Sequence, residues 1–250
     1  MLTRHRKQLI LDALRRDGQV VAKALATQLS VTEDTIRRDL RELARDGALQ
    51  RVHGGALPAS AALANFGARE AVSTAEKLAI GRAAAALVRP GQVVFIDGGT
   101  TAVQLARNLD RRLDATVVTH SPSVAVALVD HTVEVLVVGG RLFKHSLVNA
   151  GAAAMEAIAR IRADTYFMGV TGIHPTAGLS TGDAEEATIK RAIMAASAET
   201  VVLASSEKVG AASPYVVAEV AQATIVLAAK ASPPEVLLSL EAMGIDVRRV

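Results

Sequence analysis

Apolar residues recur at helical spacing in three short blocks near the start of the chain. In RHRKQLILDALRRDGQV, Leu9, Ile10, Ala13 and Leu14 share one face and Gly18 closes the block, the pattern of an amphipathic helix with a glycine stop. VAKALATQLSV repeats it with Leu25 and Leu29 inward, followed by a turn at residues 30 to 32. The third block, TIRRDLRELARDG, places Ile36, Leu40 and Leu43 at i, i+4 and i+7, so one narrow face must dock on its neighbours. Thr32 is positioned to cap this helix, and Glu33 and Asp34 suit the positive end of its dipole. Val31 and Ile36 form a hydrophobic staple, and Gly47 supplies the stop. ALQRVHGGAL then reads as a strand, a tight turn at Gly54 and Gly55, and a returning strand.

The pattern changes after this ribbon. GALPASAALANFGAREA is rich in Ala, Gly and Ser and reads as a linker. Beyond it a helical stretch runs to Pro90 and Gly91, and short β-branched runs follow: VVFID, ATVVT, VEVLVVGG, TYFMGVTG, TVVLAS and ATIVL. Helical stretches such as residues 151 to 161 and 184 to 198 separate them. Strands alternating with helices predict an α/β fold with buried parallel strands. The predicted organisation is a helix-turn-helix module with a wing at residues 1–57, a linker at 58–75 and an α/β domain at 76–250.

Charge sharpens the reading of the first module. Residues 1–57 carry a net charge of +4, the remaining residues one of −1, so the basic excess belongs to the part that would meet a polyanion. The second helix of the pair bears the arginines: Arg38, Arg41 and Arg45 lie opposite the apolar stripe, with Thr35 and Arg37 on its flanks. Arginine donates to guanine O6 and N7 in the major groove, and Arg51 and His53 on the ribbon are placed for phosphate or minor groove. Thr32, Thr35, Arg37, Arg38, Arg41, Arg51 and His53 are therefore the candidate contacts to double-stranded DNA. A solvated charged face is the bland alternative, and Asp34, Asp39, Glu42 and Asp46 lend it some support; Asp39 reads as structural, paired with a nearby arginine.

Composition excludes other classes. With no cysteine, disulfides and thiolate zinc sites are not expected, and six scattered histidines lack metal-ligand spacing. Aromatics make up 2% of the chain, too few for stacking on single strands. No signal peptide and no apolar run of about 18 residues is visible; a cytoplasmic protein without membrane contact, metal or cofactor is expected.

FIDGGTTAVQLARNL is the most chemical stretch of the second domain. A strand ending in Asp97 enters Gly98, Gly99, Thr100 and Thr101 and opens a helix, where amides, hydroxyls and the helix terminus converge on an anion. The same turn also serves an ordinary strand-to-helix junction, and its glycine spacing matches neither the P-loop nor the dinucleotide fingerprint.

VTEDTIRRDLRELARDGALQRVHGGA resembles the winged helix-turn-helix of the DeoR family of bacterial transcription regulators, whose signature centres on TIRRDL and ends in HGGA. DGGTT, VTHS, VVGGRL, FMGVTGI, GLST, EEATIKRAIM and SSEKVG follow in the order of that family's C-terminal sensor domain, a fold similar to ribose-5-phosphate isomerase. The resemblance implies a repressor of a sugar operon that binds operator DNA as a homo-oligomer, dimer or tetramer, and responds to a phosphorylated sugar or related metabolite. It also implies effector contacts from Asp97 to Thr101 and from His120, Gly139, Gly140, Gly172, Glu186, Lys190 and Lys208. Departures from the family pattern are His120 for asparagine, which adds a pH-dependent charge, Ser205 for aspartate, Val209 for phenylalanine and Ala228 for aspartate. The competing class is a sugar-phosphate isomerase with Glu186 as base, but the loop in YFMGVTGIHPTAG lacks the paired aspartates such enzymes carry, so no catalytic residue is expected. A nonspecific nucleoid protein would leave the second domain without a role.

Overall fold

The computed structural model describes residues 2–250. Its first module is built from α1 (Thr3–Asp17), β1 (Val20–Val21), α2 (Ala22–Gln28), α3 (Glu33–Arg45), β2 (Leu49–Val52) and β3 (Gly55–Pro58). The strands form an antiparallel sheet in the order β1-β3-β2, which makes β2 and β3 the wing. The expected apolar stripes meet in one core: Ile10 and Leu14 from α1, Leu25 from α2, and Ile36, Leu40 and Leu43 from α3. Helix α3 begins where its local chemistry demands, with Thr35 N–H donating to the Thr32 hydroxyl at 3.3 Å. It ends in a Schellman turn, with Gly47 N–H on Ala44 O and Ala48 N–H on Leu43 O, closed by Gly47 at φ 73°.

Residues 58–75, read from composition as a linker, carry structure. A short 3₁₀ turn spans Ala61–Leu63 and α4 spans Phe66–Glu70; Phe66 is buried in the core of the second domain. Composition hid this because a strap of small residues can lie flat on a neighbouring surface without showing any periodicity of its own.

The second domain continues with α5 (Thr74–Ala85), β4 (Val93–Ile96), α6 (Thr100–Asn108), β5 (Thr116–Thr119), α7 (Pro122–Ala127) and β6 (Glu134–Val137). A hairpin of β7 (Arg141–Phe143) and β8 (Val148–Ala150) leads to α8 (Ala152–Ala159), β9 (Ala163–Gly169), β10 (Gly172–His174), β11 (Gly178–Thr181) and α9 (Ala184–Ala195). The chain closes with β12 (Ser197–Ala204), β13 (Tyr215–Ala218), β14 (Ile225–Ala228), α10 (Pro234–Ala242) and β15 (Asp246–Arg249). Helix α5 stops a turn before Pro90, and the helical pattern expected to reach residue 198 ends at Ala195, where β12 takes over.

Seven parallel strands form the main sheet in the order β15-β14-β12-β9-β4-β5-β6. Both faces are covered, as parallel strands require: Phe95, Tyr166 and Met168 point into one apolar layer, Val94, Ile96 and Phe167 into the other. The chain winds from β4 outward through β5 and β6, then returns to β9 and winds the other way. The switch between β4 and β9 opens a crevice at their carboxyl ends, the place where ligands bind in such sheets. β10, β11 and β13 form a small antiparallel sheet beside it.

Candidate functional site

In the winged helix the arginine face of α3 turns to solvent. Arg37, Arg38, Arg41 and Arg45 are exposed, as are Arg51 and His53 on the wing. Arg37 pairs with Glu33 one turn back at 2.7 Å. Thr32 and Thr35 share a hydroxyl contact of 2.9 Å at the helix start. A groove of about 250 Å³ between α3 and the wing is lined by Arg37, Arg51 and His53, so the tertiary structure joins the two basic elements into one surface. Asp39 does not belong to it. It is fully buried and receives both the Nε and an Nη of Arg6, the latter at 3.0 Å. Lys7 adds a second tie from α1 to Glu42 of α3 at 2.8 Å. The recognition-type helix is thus clamped to α1 from behind while its outer arginines remain exposed.

The crevice between β4 and β9 holds a cavity of about 130 Å³. Its floor is the loop from Gly98 to Thr101. A Cβ at Gly98 would lie 2.1 Å from a methyl of Val148, and Gly99 has φ 111°, so the loop's path requires glycine at both positions. No side chain caps α6, and the first amides of a helix have no carbonyl of their own helix to bond. The Thr101 hydroxyl is buried without a partner among the described residues.

Asp97 lies beneath this loop, fully buried and outside the cavity lining. One carboxylate oxygen accepts from Gly98 N–H and the other from Gly169 N–H, each at 2.8 Å. The Lys190 ammonium donates to Asp97 and, at 2.9 Å, to Gly169 O. Burial would raise the Asp97 pKa, but the charge of Lys190 and the hydrogen bonds from Lys190 and Gly98 hold it below the usual carboxylate range. Asp97 therefore cross-links β4, β9 and α9 beneath the cavity floor.

His120 is also behind the floor. Its Nε2 stands 3.5 Å from Asp97, and burial, partly opposed by Asp97, lowers its pKa to about 4. The expected pH-dependent charge is thus absent near neutrality. Gly139 and Gly140 lie at the exposed end of β6, and Gly172 packs its backbone against Ala211 O; none of the three lines the cavity. Gly98, Gly99, Thr100, Thr101, Glu186, Lys190 and Lys208 do.

Other groups at the cavity escaped the sequence reading. Arg69 of α4 extends into it, with Nη1 beside Gly99. Its Nε and Nη2 are buried without partners among the described residues, and burial lowers its pKa. Lys77 of α5 is buried, donating to Arg69 O at 2.6 Å. Lys208 sits on the turn after β12; burial first, then the charges of Lys77, Arg69 and Lys190, against Glu207, bring its pKa to about 8. Glu207 is held by the hydroxyls of Ser205 at 2.7 Å and Ser73 at 2.9 Å. Asp183 lines the cavity while capping α9 through the amides of Glu185 and Glu186. Arg69 and Lys77 carried a weak signal, two isolated cations in an alanine-rich stretch, whose convergence only the fold displays. No group of three or more His, Cys, Asp or Glu side chains could hold a metal ion among the described residues.

These features define a winged-helix DNA-binding regulator whose second domain is an α/β sensor. Residues 6–61 match the DeoR-like helix-turn-helix domain and residues 72–229 the DeoR C terminal sensor domain; the chain belongs to the DeoR family. It is 33% identical to the uncharacterized HTH-type transcriptional regulator FruR of Bacillus subtilis, over 90% of this chain and 91% of that one. It is also 33% identical to the glycerol-3-phosphate regulon repressor of Escherichia coli, over 80% of this chain and 81% of the relative. Ribose 5-phosphate isomerase A from Methanocaldococcus jannaschii aligns with 54% of this chain and 54% of its own, at 19% identity and a TM-score of 0.41. The relatives are regulators, and this chain is a regulator rather than an enzyme. No helix among the described residues is long and apolar enough to cross a membrane.

Proposed function

We propose that the protein represses a sugar or carbohydrate operon, binding operator DNA as a dimer or tetramer through α3 and the wing, and that a phosphorylated sugar or related metabolite in the cavity modulates this binding. The observation that carries the effector reading is the unpartnered Arg69 guanidinium beside the uncapped start of α6. A phosphate there would supply acceptors to Arg69, to the amides of the loop and to the buried Thr101 hydroxyl. Lys208 lines the same cavity and adds positive charge. The name of the glycerol-3-phosphate regulon repressor is consistent with a small phosphorylated ligand. Effector binding shifts the equilibrium between assemblies that present the winged helices at half-site spacing and assemblies that do not.

Calorimetry with ribose 5-phosphate and glycerol 3-phosphate, beside fluorescence anisotropy on a duplex enriched by the protein from a random pool, tests this reading. Lys208→Ala should weaken binding of the phosphorylated compound while leaving DNA affinity intact. Lys208 loses its proton as pH rises through about 8, so anion affinity should fall above that pH, and Lys208→Arg should remove the fall. Unchanged anion binding in Lys208→Ala would place the effector elsewhere.

A further inference from the structure

Three separate apolar cores divide the molecule: one in the winged helix and one on each face of the main sheet. Clefts of about 730 Å³ open between the modules on either side. One lies between the wing and residues 175–178, the other between α1 and the turn at Ser206–Lys208. What joins the modules is a strap. Ala59 forms a parallel bridge with Ala212, whose N–H donates to Pro58 O at 3.4 Å. Ser60 and Ala62 are buried, and the Ser60 hydroxyl accepts from Ala62 N–H at 3.1 Å. Phe66 N–H donates to His145 O at 2.8 Å at the tip of the β7–β8 hairpin.

The strap crosses the cavity. Ala62 and Leu63 line it together with Phe143, His145 and Ser146 of the hairpin. Leu63 packs so closely on Gly182 that a Cβ there would lie 2.7 Å from its Cδ2. Further along the same segment, Arg69 brings its unpartnered guanidinium to the loop. The turn that carries Lys208 is part of the same construction: Ser206 is held by Glu76 at 2.8–2.9 Å, and Glu207 faces both the cavity and the cleft against α1. A passive tether would bury no side chains and contribute none to a binding site.

We infer that residues 59–69 are at once the tether of the winged helix and a wall of the effector site, so that ligand contact with Leu63 and Arg69 sets the position of the DNA-binding module directly. This rests on the anion-site reading for the ligand, but not for the strap's response to DNA. A ligand ordering Arg69 and displacing Leu63 moves the chain only a few residues from Pro58, the last residue of the wing. The same short segment runs from Pro58 to Leu63, so DNA binding at the wing alters the environment of Leu63 whether or not a small ligand is present.

The chain has no cysteine, so Leu63→Cys provides a single labelling site in the full-length protein, with Val129→Cys, exposed just beyond the end of α7, as control. Without any small ligand, saturating selected duplex should change the maleimide labelling rate of Leu63→Cys by about fivefold or more and leave Val129→Cys unchanged. Insertion of Gly-Ser-Gly-Ser between Pro58 and Ala59 should leave ribose 5-phosphate affinity intact and abolish its effect on DNA affinity. An unchanged Leu63→Cys rate on DNA binding overturns the strap, as does an insertion variant that responds to ribose 5-phosphate like the wild type. If neither ribose 5-phosphate nor inorganic phosphate binds but DNA still alters the labelling rate, the strap stands and the anion reading falls.

Discussion

Each module is built around one fully buried aspartate, and the two are used differently. Asp39 in the winged helix is bound, among the described residues, by Arg6 of α1 alone. Asp97 in the sensor domain receives Lys190 and two backbone amides, with His120 alongside. Neither lines the cavity or the groove beside the wing, although both sit in the most distinctive motif of their module. In the winged helix the clamp and the working surface lie on opposite faces of α3, so arginines on the outer face can change without disturbing the fold. In the sensor the clamp supports the very loop that floors the cavity, so stability and binding cannot be separated there. A protein that reads different DNA sequences can vary one surface freely, whereas its ligand site is tied to buried charge.

The largest test of this contrast is Asp97→Ala. Removing the carboxylate strands the Lys190 ammonium in the interior, which costs about 4–5 kcal/mol for a buried pair broken on one side, and urea unfolding should show it. The loop should lose its anion affinity in step. A variant of near wild-type stability would mean that Asp97 does not hold the loop and its neighbouring strands together.

Arg6→Ala should cost about 3 kcal/mol by the same argument, with loss of DNA affinity following from misplacement of α3. Replacing both partners, Arg6→Leu with Asp39→Leu, should recover most of the stability, since an apolar pair leaves no buried charge. If the double variant is as unstable as the single one, the clamp contributes more than charge compensation.

His120 gives the stability of the sensor domain a pH dependence. It stays neutral in the fold down to about pH 4, whereas an unfolded histidine protonates near 6.5. Between these values the unfolded chain binds more protons, so stability falls as pH drops from about 6.5 to about 4 and is undiminished above that window. The loss should be of order 1–3 kcal/mol. Thermal melts across this range should flatten in His120→Asn.

The smallest effect belongs to the exposed pair of Arg37 and Glu33. Glu33→Ala should change stability by no more than about 0.5 kcal/mol, detectable as a shift of a degree or two at most in a thermal melt. A larger loss would make this surface contact part of the fold and weaken the claim that the outer face of α3 is free to vary.

Much of the winged helix follows from local sequence. The Thr32 cap, the stripe of Ile36, Leu40 and Leu43, the Gly47 stop and the arginines opposite the stripe all express interactions within a few residues, which periodicity and capping rules capture. The strand-loop-helix from Val93 to Asn108 was legible for the same reason, as were most of the parallel strands. Pairing between distant segments was not. Arg6 lies 33 residues from Asp39, and Lys190 lies 93 from Asp97; no local pattern distinguishes a carboxylate that meets a ligand from one that meets a lysine beneath it. Asp97, expected among the effector contacts, lies beneath the cavity floor, and Gly139, Gly140, Gly172 and His120 are also outside the cavity lining. Arg69 and Leu63 gained their places only because the strap folds back over the crevice. Local chemistry determined which elements form and which face of α3 is basic; the winding of the sheet away from β4 and β9 decided which charges neutralise one another and which are left free, because only packing brings residues so far apart in sequence within reach.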